Sequence, residues 1–196
     1  MVCYLGMKNY NKEQEIYDNI NQKYDRSRGF IDRDLDVLLD NLEKVSENGN
    51  YVEIGVCEGS SITAAAMFRP DVNCYGIEIH SIDKALEIIK EEKLNNIELI
   101  QGDSAEVCKT WNKDIDMLFI DGGHDTPEVF LDVIGWFPHV KNGCKILLHD
   151  YEPDEPGTRF DVGQLGKVFI GHNKFKTYHP AIEDGISSSM FIVTKL

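Results

Sequence analysis

The sequence predicts a doubly wound α/β sheet. Three observations carry this. Between Tyr51 and Leu148, short apolar runs alternate with stretches of helical period; most of the runs end at glycine or an acid; and the tail closes on two strand-like runs joined by a short link. Strand–helix alternation calls for parallel strands with helices on both faces, because a parallel connection needs a long crossover.

The elements follow in chain order. Asn11 to Tyr24 is polar with weak helical spacing. From Ile31 to Val45, the residues Ile31, Leu35, Val37, Leu38, Leu39, Leu42 and Val45 cover one side at helical period, an amphipathic helix that ends near Gly49. Tyr51 to Val56 reads as a strand and Ser61 to Phe68 as an Ala-rich helix. Cys74 to Ile79 is a second strand, followed by a helix over Ile82 to Leu94 with Ala85, Leu86, Ile88 and Ile89 inward. Ile97 to Ile100 is a strand, Ala105 to Trp111 a short helix, and Ile115 to Ile120 a strongly apolar strand. Pro127 to Val140 is a helix with proline in its first turn, and Cys144 to Leu148 a strand. Val162 to Ile170 reads as a helix. Phe175 to His179 and Met190 to Thr194 read as strands with no helix between them, too close for a parallel crossover and therefore antiparallel.

Composition narrows the function. The 196 residues suffice for one core, and the net charge of −14 repels phosphate backbones and anionic membranes. A small neutral or cationic ligand fits that charge. No run reaches the ~18 apolar residues of a membrane span, and Met1 to Lys12 is too polar for a secretory signal, so a cytoplasmic location is expected. The five cysteines, Cys3, Cys57, Cys74, Cys108 and Cys144, form no CxxC pair and read as free thiols.

Chemistry gathers at the strand tips. The first strand turns through Glu53-Ile54-Gly55-Val56-Cys57-Glu58-Gly59-Ser60-Ser61. Two glycines four apart permit a tight turn and close approach of a ligand to the backbone. A pyrophosphate site wants GxGxxG and no nearby acid. Here the spacing is GxxxG, and Glu53 and Glu58 favour a ligand carrying positive charge. The second strand ends in Glu78, placed to accept two ribose hydroxyls, beside Ile77 and Ile79, which look buried. The third ends in Gly102-Asp103-Ser104, where the acid either contacts an exocyclic amine or caps the next helix.

In these residues the chain resembles the class I S-adenosylmethionine-dependent methyltransferases, from about Tyr51 to the C-terminus. The resemblance implies a Rossmann-like seven-stranded sheet of order 3-2-1-4-5-7-6 with strand 7 antiparallel. It divides the chain into an N-terminal helical segment, 1–48, serving as lid or packing, and a methyltransferase domain, 49–196. It implies that Gly55 and Gly59 hold the methionine end of S-adenosylmethionine, with Glu53, Ser60 and Ser61 of the same loop also counted as cofactor-binding. Glu78 would hold the ribose and Asp103 with Ser104 the adenine, with Ile79, Gly102 and Asp121 also among the cofactor-binding residues.

Strand four ends Asp121-Gly122-Gly123-His124 and strand five His149-Asp150-Tyr151. Asp121, His149 and Asp150 can converge as oxygen and nitrogen ligands. Two carboxylates suit Mg²⁺; an imidazole moves the preference toward Mn²⁺, Fe²⁺ or Zn²⁺. The alternative is that the two acids only cap turns. This segment resembles the sugar and macrolide O-methyltransferases, and more distantly the catechol type. That likeness places metal ligation on Asp121 and Asp150 and makes His124 the general base, while His149 departs from the usual acid. It implies a small-molecule acceptor such as a sugar or phenol hydroxyl, with neither nucleic acid nor membrane as partner and a homodimer left open. Two other readings compete: an NAD-linked oxidoreductase on a similar sheet, and a non-catalytic binding module that keeps the cofactor fold.

Overall fold

The computed structural model describes residues 11–23, 30, 33–123, 126–151, 162–185 and 188–196. Its strands are β1 (Asn50–Ile54), β2 (Asn73–Glu78), β3 (Ile97–Gln101), β4 (Ile115–Ile120), β5 (Val140–Leu148), β6 (Phe175–Tyr178) and β7 (Phe191–Lys195). They form one seven-stranded sheet of order β3-β2-β1-β4-β5-β7-β6. The pairs from β3 to β5 are parallel, and β7 runs antiparallel to both β5 and β6. This is the expected order and orientation.

The helices are α1 (Asn11–Lys23), α2 (Asp34–Leu42), α3 (Ser60–Phe68), α4 (Asp83–Glu91), α5 (Ser104–Val107), α6 (Thr126–Trp136), α7 (Val162–Phe169) and α8 (Pro180–Glu183). Two cores flank the sheet because side chains alternate along each strand. Tyr51, Met117, Phe119 and Leu147 face the layer of α1 to α3, packing on Leu38, Leu42, Ile62 and Ala65. Val52, Ile54, Leu118, Ile120 and Leu148 face α6 and α7, packing on Val133, Trp136 and Leu165.

Several boundaries differ from the periodicity. β5 starts at Val140 instead of Cys144, because the register shifts between Ile115 and Met117 and the extra residues turn through Gly143. The single turn α8 fills the link between β6 and β7, where no helix was expected. Leu86 is 47% exposed, not inward: α4 covers the sheet with Ala85, Ile88 and Ile89 alone. Ile31, at the start of the expected second helix, lies outside the described residues.

Candidate functional site

The C-terminal tips of β3, β2, β1, β4 and β5 stand side by side and are stitched together by backbone. The Gly102 N–H donates to the Glu78 carbonyl at 2.8 Å, Gly55 N–H to Ile77 at 2.9 Å, Asp121 N–H to Ile54 at 2.9 Å and His149 N–H to Ile120 at 3.1 Å. The tips of these five strands therefore form one edge.

The glycine loop has two glycines with left-handed backbone, each for its own reason. Gly55 has φ +90°, and a Cβ there would stand 2.1 Å from the Asp121 carbonyl oxygen. Gly59 has φ +89°, precedes α3, and abuts Ala85 of α4. Glu78 is locked in place: its carboxylate accepts the Cys57 N–H at 2.7 Å and the His80 N–H at 2.9 Å. One acid thus ties the β2 tip to the glycine loop. Glu58 stands 3.6 Å from the Lys84 ammonium, which offsets part of its charge. Asp103 caps α5, accepting the Ala105 N–H at 2.9 Å, and its side chain stays exposed. Ser104 donates to Asp132 of α6. Asp132 is buried, and burial raises its pKa to about 6 against the opposing hydrogen bond from Ser104.

Two expectations change here. Glu53 lies beneath the loop, not on the crevice wall. Alternation puts it on the Tyr51 side of β1, where it is fully buried and accepts the Tyr51 hydroxyl at 2.6 Å and the Ser61 hydroxyl at 2.5 Å. Burial, outweighing those bonds, raises its pKa to about 8. Ile79 is 60% exposed, where a buried neighbour of Glu78 was expected. Ser60 and Ser61 are buried at the start of α3, with the Ser60 hydroxyl donating to Asn21 of α1 at 3.0 Å.

The other half of the edge holds the expected donor cluster. Phe119 pairs with Leu147, so two residues on, Asp121 and His149 emerge on the same face. His149 Nδ1 stands 2.8 Å from Asp121 Oδ1 and 3.5 Å from Asp150 Oδ1. One ligand atom from each of Asp121, His149 and Asp150 lies within 4.8 Å of the others. Asp150 reaches this position with φ +56°, a left-handed backbone uncommon outside glycine. His149 is 5% exposed. Burial alone would lower its pKa, but Asp121, then Asp34 and Asp150, outweigh it and hold the imidazole well above its ordinary value. The cluster fits a divalent ion: two hard carboxylates and one nitrogen, close enough to share a centre. His124, the expected base, lies outside the described residues.

Sequence reasoning missed Asp34. It opens α2, is fully buried, and faces His149 Nε2 at 3.1 Å across 115 residues of chain. The available signal was an acid interrupting the apolar face of a helix.

A family model described as a methyltransferase domain matches residues 52–151. A tRNA (guanine-N(7)-)-methyltransferase of Lysinibacillus sphaericus is 29% identical over 114 residues, 56% of this chain and 48% of that protein. An uncharacterized protein of Acanthamoeba polyphaga mimivirus is 29% identical over 128 residues, 59% of this chain and 58% of that protein. The chain thus spans about half the length of these curated relatives. Among solved structures, a Staphylococcus aureus protein assigned as a caffeoyl-CoA O-methyltransferase superposes with a TM-score of 0.76 over 93% of this chain and 91% of that one, at 18% identity. The O-methyltransferase TomG from Streptomyces achromogenes, solved with SAM, gives 0.68 over 98% and 92%, at 17% identity. The MycE methyltransferase of mycinamycin biosynthesis, solved with Mg, SAH and mycinamycin VI, gives 0.62 over 92% of this chain and 53% of that one, at 20% identity.

Proposed function

The chain belongs to this methyltransferase-domain family, and on that premise we propose that it moves the methyl group of S-adenosylmethionine to a hydroxyl oxygen of a small molecule, assisted by a divalent ion. One observation carries the reading. The ligand-shaped acids and glycines of β1 to β3 and the donor cluster of β4 and β5 share a single sheet edge. Such an edge is where open α/β sheets bind ligands.

The residues divide the work as follows. Gly55 and Gly59 let the loop approach the methionine end, with Ser60 and Ser61 at the start of α3. Glu78, with both oxygens anchored on backbone amides, offers its remaining lone pairs to the ribose hydroxyls. Asp103 and Ser104, with Gly102 and Ile79 at the rim, border the adenine. The acceptor oxygen attacks the methyl carbon in line with sulfur; the C–O bond forms as the C–S bond breaks, and the electron pair stays on sulfur. Much of the protein's contribution is position. Asp121, His149 and Asp150 would hold the ion, which when bound lowers the pKa of a nearby hydroxyl. His124, three residues after Asp121 in the sequence, is proposed to take the acceptor's proton.

Charge supports a small acceptor over RNA. At −14 the chain repels a polyphosphate, although one relative is a tRNA methyltransferase. The relatives TomG and MycE support a small-molecule hydroxyl. The GxxxG spacing, with Glu58 in the loop, favours S-adenosylmethionine over NAD⁺.

Calorimetry with S-adenosylhomocysteine and NAD⁺ tests the cofactor, and transfer of a labelled methyl group tests the acceptor. Binding of S-adenosylhomocysteine alone is expected, weakened about tenfold or more in Glu78→Ala. Labelling of sugar or phenol hydroxyls, lost with EDTA, is expected; labelling of bulk tRNA instead would overturn the acceptor class. A chain that binds no S-adenosylhomocysteine is not this enzyme.

A further inference from the structure

His149 is held from behind. Its Nε2 faces Asp34 Oδ2 at 3.1 Å, and Asp34 is itself pinned: Oδ1 accepts the Ser188 hydroxyl at 2.6 Å and the Ser189 N–H at 2.8 Å, while Oδ2 accepts the Ser189 hydroxyl at 3.0 Å. A carboxylate only accepts, so Nε2 donates to Asp34 and Nδ1 to Asp121; a metal ion on Nδ1 would displace the Nδ1 proton and leave Nε2–H on Asp34. The imidazole is also walled by rings, with Phe30 at 5.0 Å and Phe119 at 6.1 Å between centroids. Phe30 in turn stacks on Tyr17 of α1, whose hydroxyl accepts the Phe30 N–H at 2.7 Å. With Nε2 committed and the ring plane fixed, Nδ1 is the nitrogen turned to Asp121 and Asp150. The left-handed backbone of Asp150 brings its carboxylate to the same nitrogen.

We propose that Asp34 is a positioning residue of the donor cluster, holding the Nε2–H of His149 so that Nδ1 becomes the nitrogen ligand beside the Asp121 and Asp150 carboxylates. This rests on the metal reading above and adds a role for the N-terminal segment, which supplies both Asp34 and Phe30. Ligating histidines ordinarily hand their second N–H to a carboxylate, which fixes the ring and raises its basicity. A nitrogen in the set favours Mn²⁺, Fe²⁺ or Zn²⁺ over Mg²⁺. Asp34 thereby makes histidine workable at the β5 tip.

The test uses the full chain labelled with ¹⁵N-histidine and titrated with Zn²⁺, His149 being assigned by its loss in His149→Gln. The expected result is a metal-shifted Nδ1 and an Nε2 that keeps its directly bonded proton. Zinc on Nε2 would overturn the proposal. A second arm measures metal affinity of Asp34→Asn. Affinity for Zn²⁺ and Mn²⁺ should fall roughly 10–100-fold, and Mg²⁺ affinity less. Unchanged Zn²⁺ affinity in a folded Asp34→Asn chain overturns the role of Asp34 while leaving the metal reading intact. A wild-type chain that takes up none of the three ions overturns the metal reading, and this inference with it. The first arm needs no change at Asp34, so a failure of that variant to fold does not remove the test.

Discussion

At Gly55 two constraints fall on one residue. The backbone is left-handed at φ +90°, and the missing side chain leaves room for the Asp121 carbonyl. A methyl group there meets backbone, which cannot step aside as a flexible side chain would. Gly55→Ala should therefore cost on the order of 3 kcal/mol or more and displace the Asp121 tip. Gly143 is the control: its φ is +82°, but nothing lies within 4 Å of a built Cβ. Gly143→Ala should cost about 1 kcal/mol, from strain alone. Urea denaturation of both variants checks this, and equal losses would show that the carbonyl contact at Gly55 is not what matters. Glu53 teaches the complementary lesson. Its place in the loop motif drew attention to a ligand, yet strand alternation had already assigned it to the buried Tyr51 face. Residue type and motif position were legible there; the side of the sheet needed the exact strand phase.

The elements whose order was legible are those with local signals. Apolar runs that stop at glycine or acid marked β1 to β5, and a short link marked β7 as antiparallel. Contacts between distant elements left no such mark. Asp34 reaches His149 over 115 residues, and Ser104 of α5 reaches Asp132 of α6. No local pattern encodes either pairing. The second of these has a pH signature. Asp132 titrates near 6 in the folded chain against an ordinary 3.8, so the folded state keeps a proton that the unfolded state has lost. Stability from this group is full below about pH 4 and declines as pH rises through 6, by up to about 3 kcal/mol. Asp132→Asn carries no such titration. Its stability should be flat over that window once other groups are subtracted, with guanidinium melts at pH 4.5 and 6.5 as the measurement. An identical slope in the two proteins would show that Asp132 is not the group that titrates.

The whole molecule should prefer mild acid, because its two buried carboxyls with raised pKa and its net negative charge push the same way. Glu53 titrates near 8 when folded against an ordinary 4.5, so its contribution is complete below about pH 4.5 and is lost as pH rises through 8. Asp132 acts in the same direction over a lower range. The net charge is −14 with an isoelectric point near 4.8, so each step above that pH adds self-repulsion to the compact state. The melting temperature should fall steadily between pH 5 and 8.5. Two interventions separate the causes. Glu53→Gln removes the titrating acid, keeps an acceptor for one of the two hydroxyls and turns an amide N–H to the other, and it should flatten the part of the fall between about pH 6.5 and 8.5. Salt at about 0.5 M screens the long-range repulsion and leaves the buried carboxyl largely untouched, so it should raise the melting temperature at pH 8.5 without restoring a flat profile. A melting temperature that climbs from pH 5 to 8.5 would mean that Glu53 is ionised in the folded chain. The hydrogen bonds from Tyr51 and Ser61 would then be holding a charge within the core, and the pocket floor beneath the glycine loop would be anionic instead of neutral.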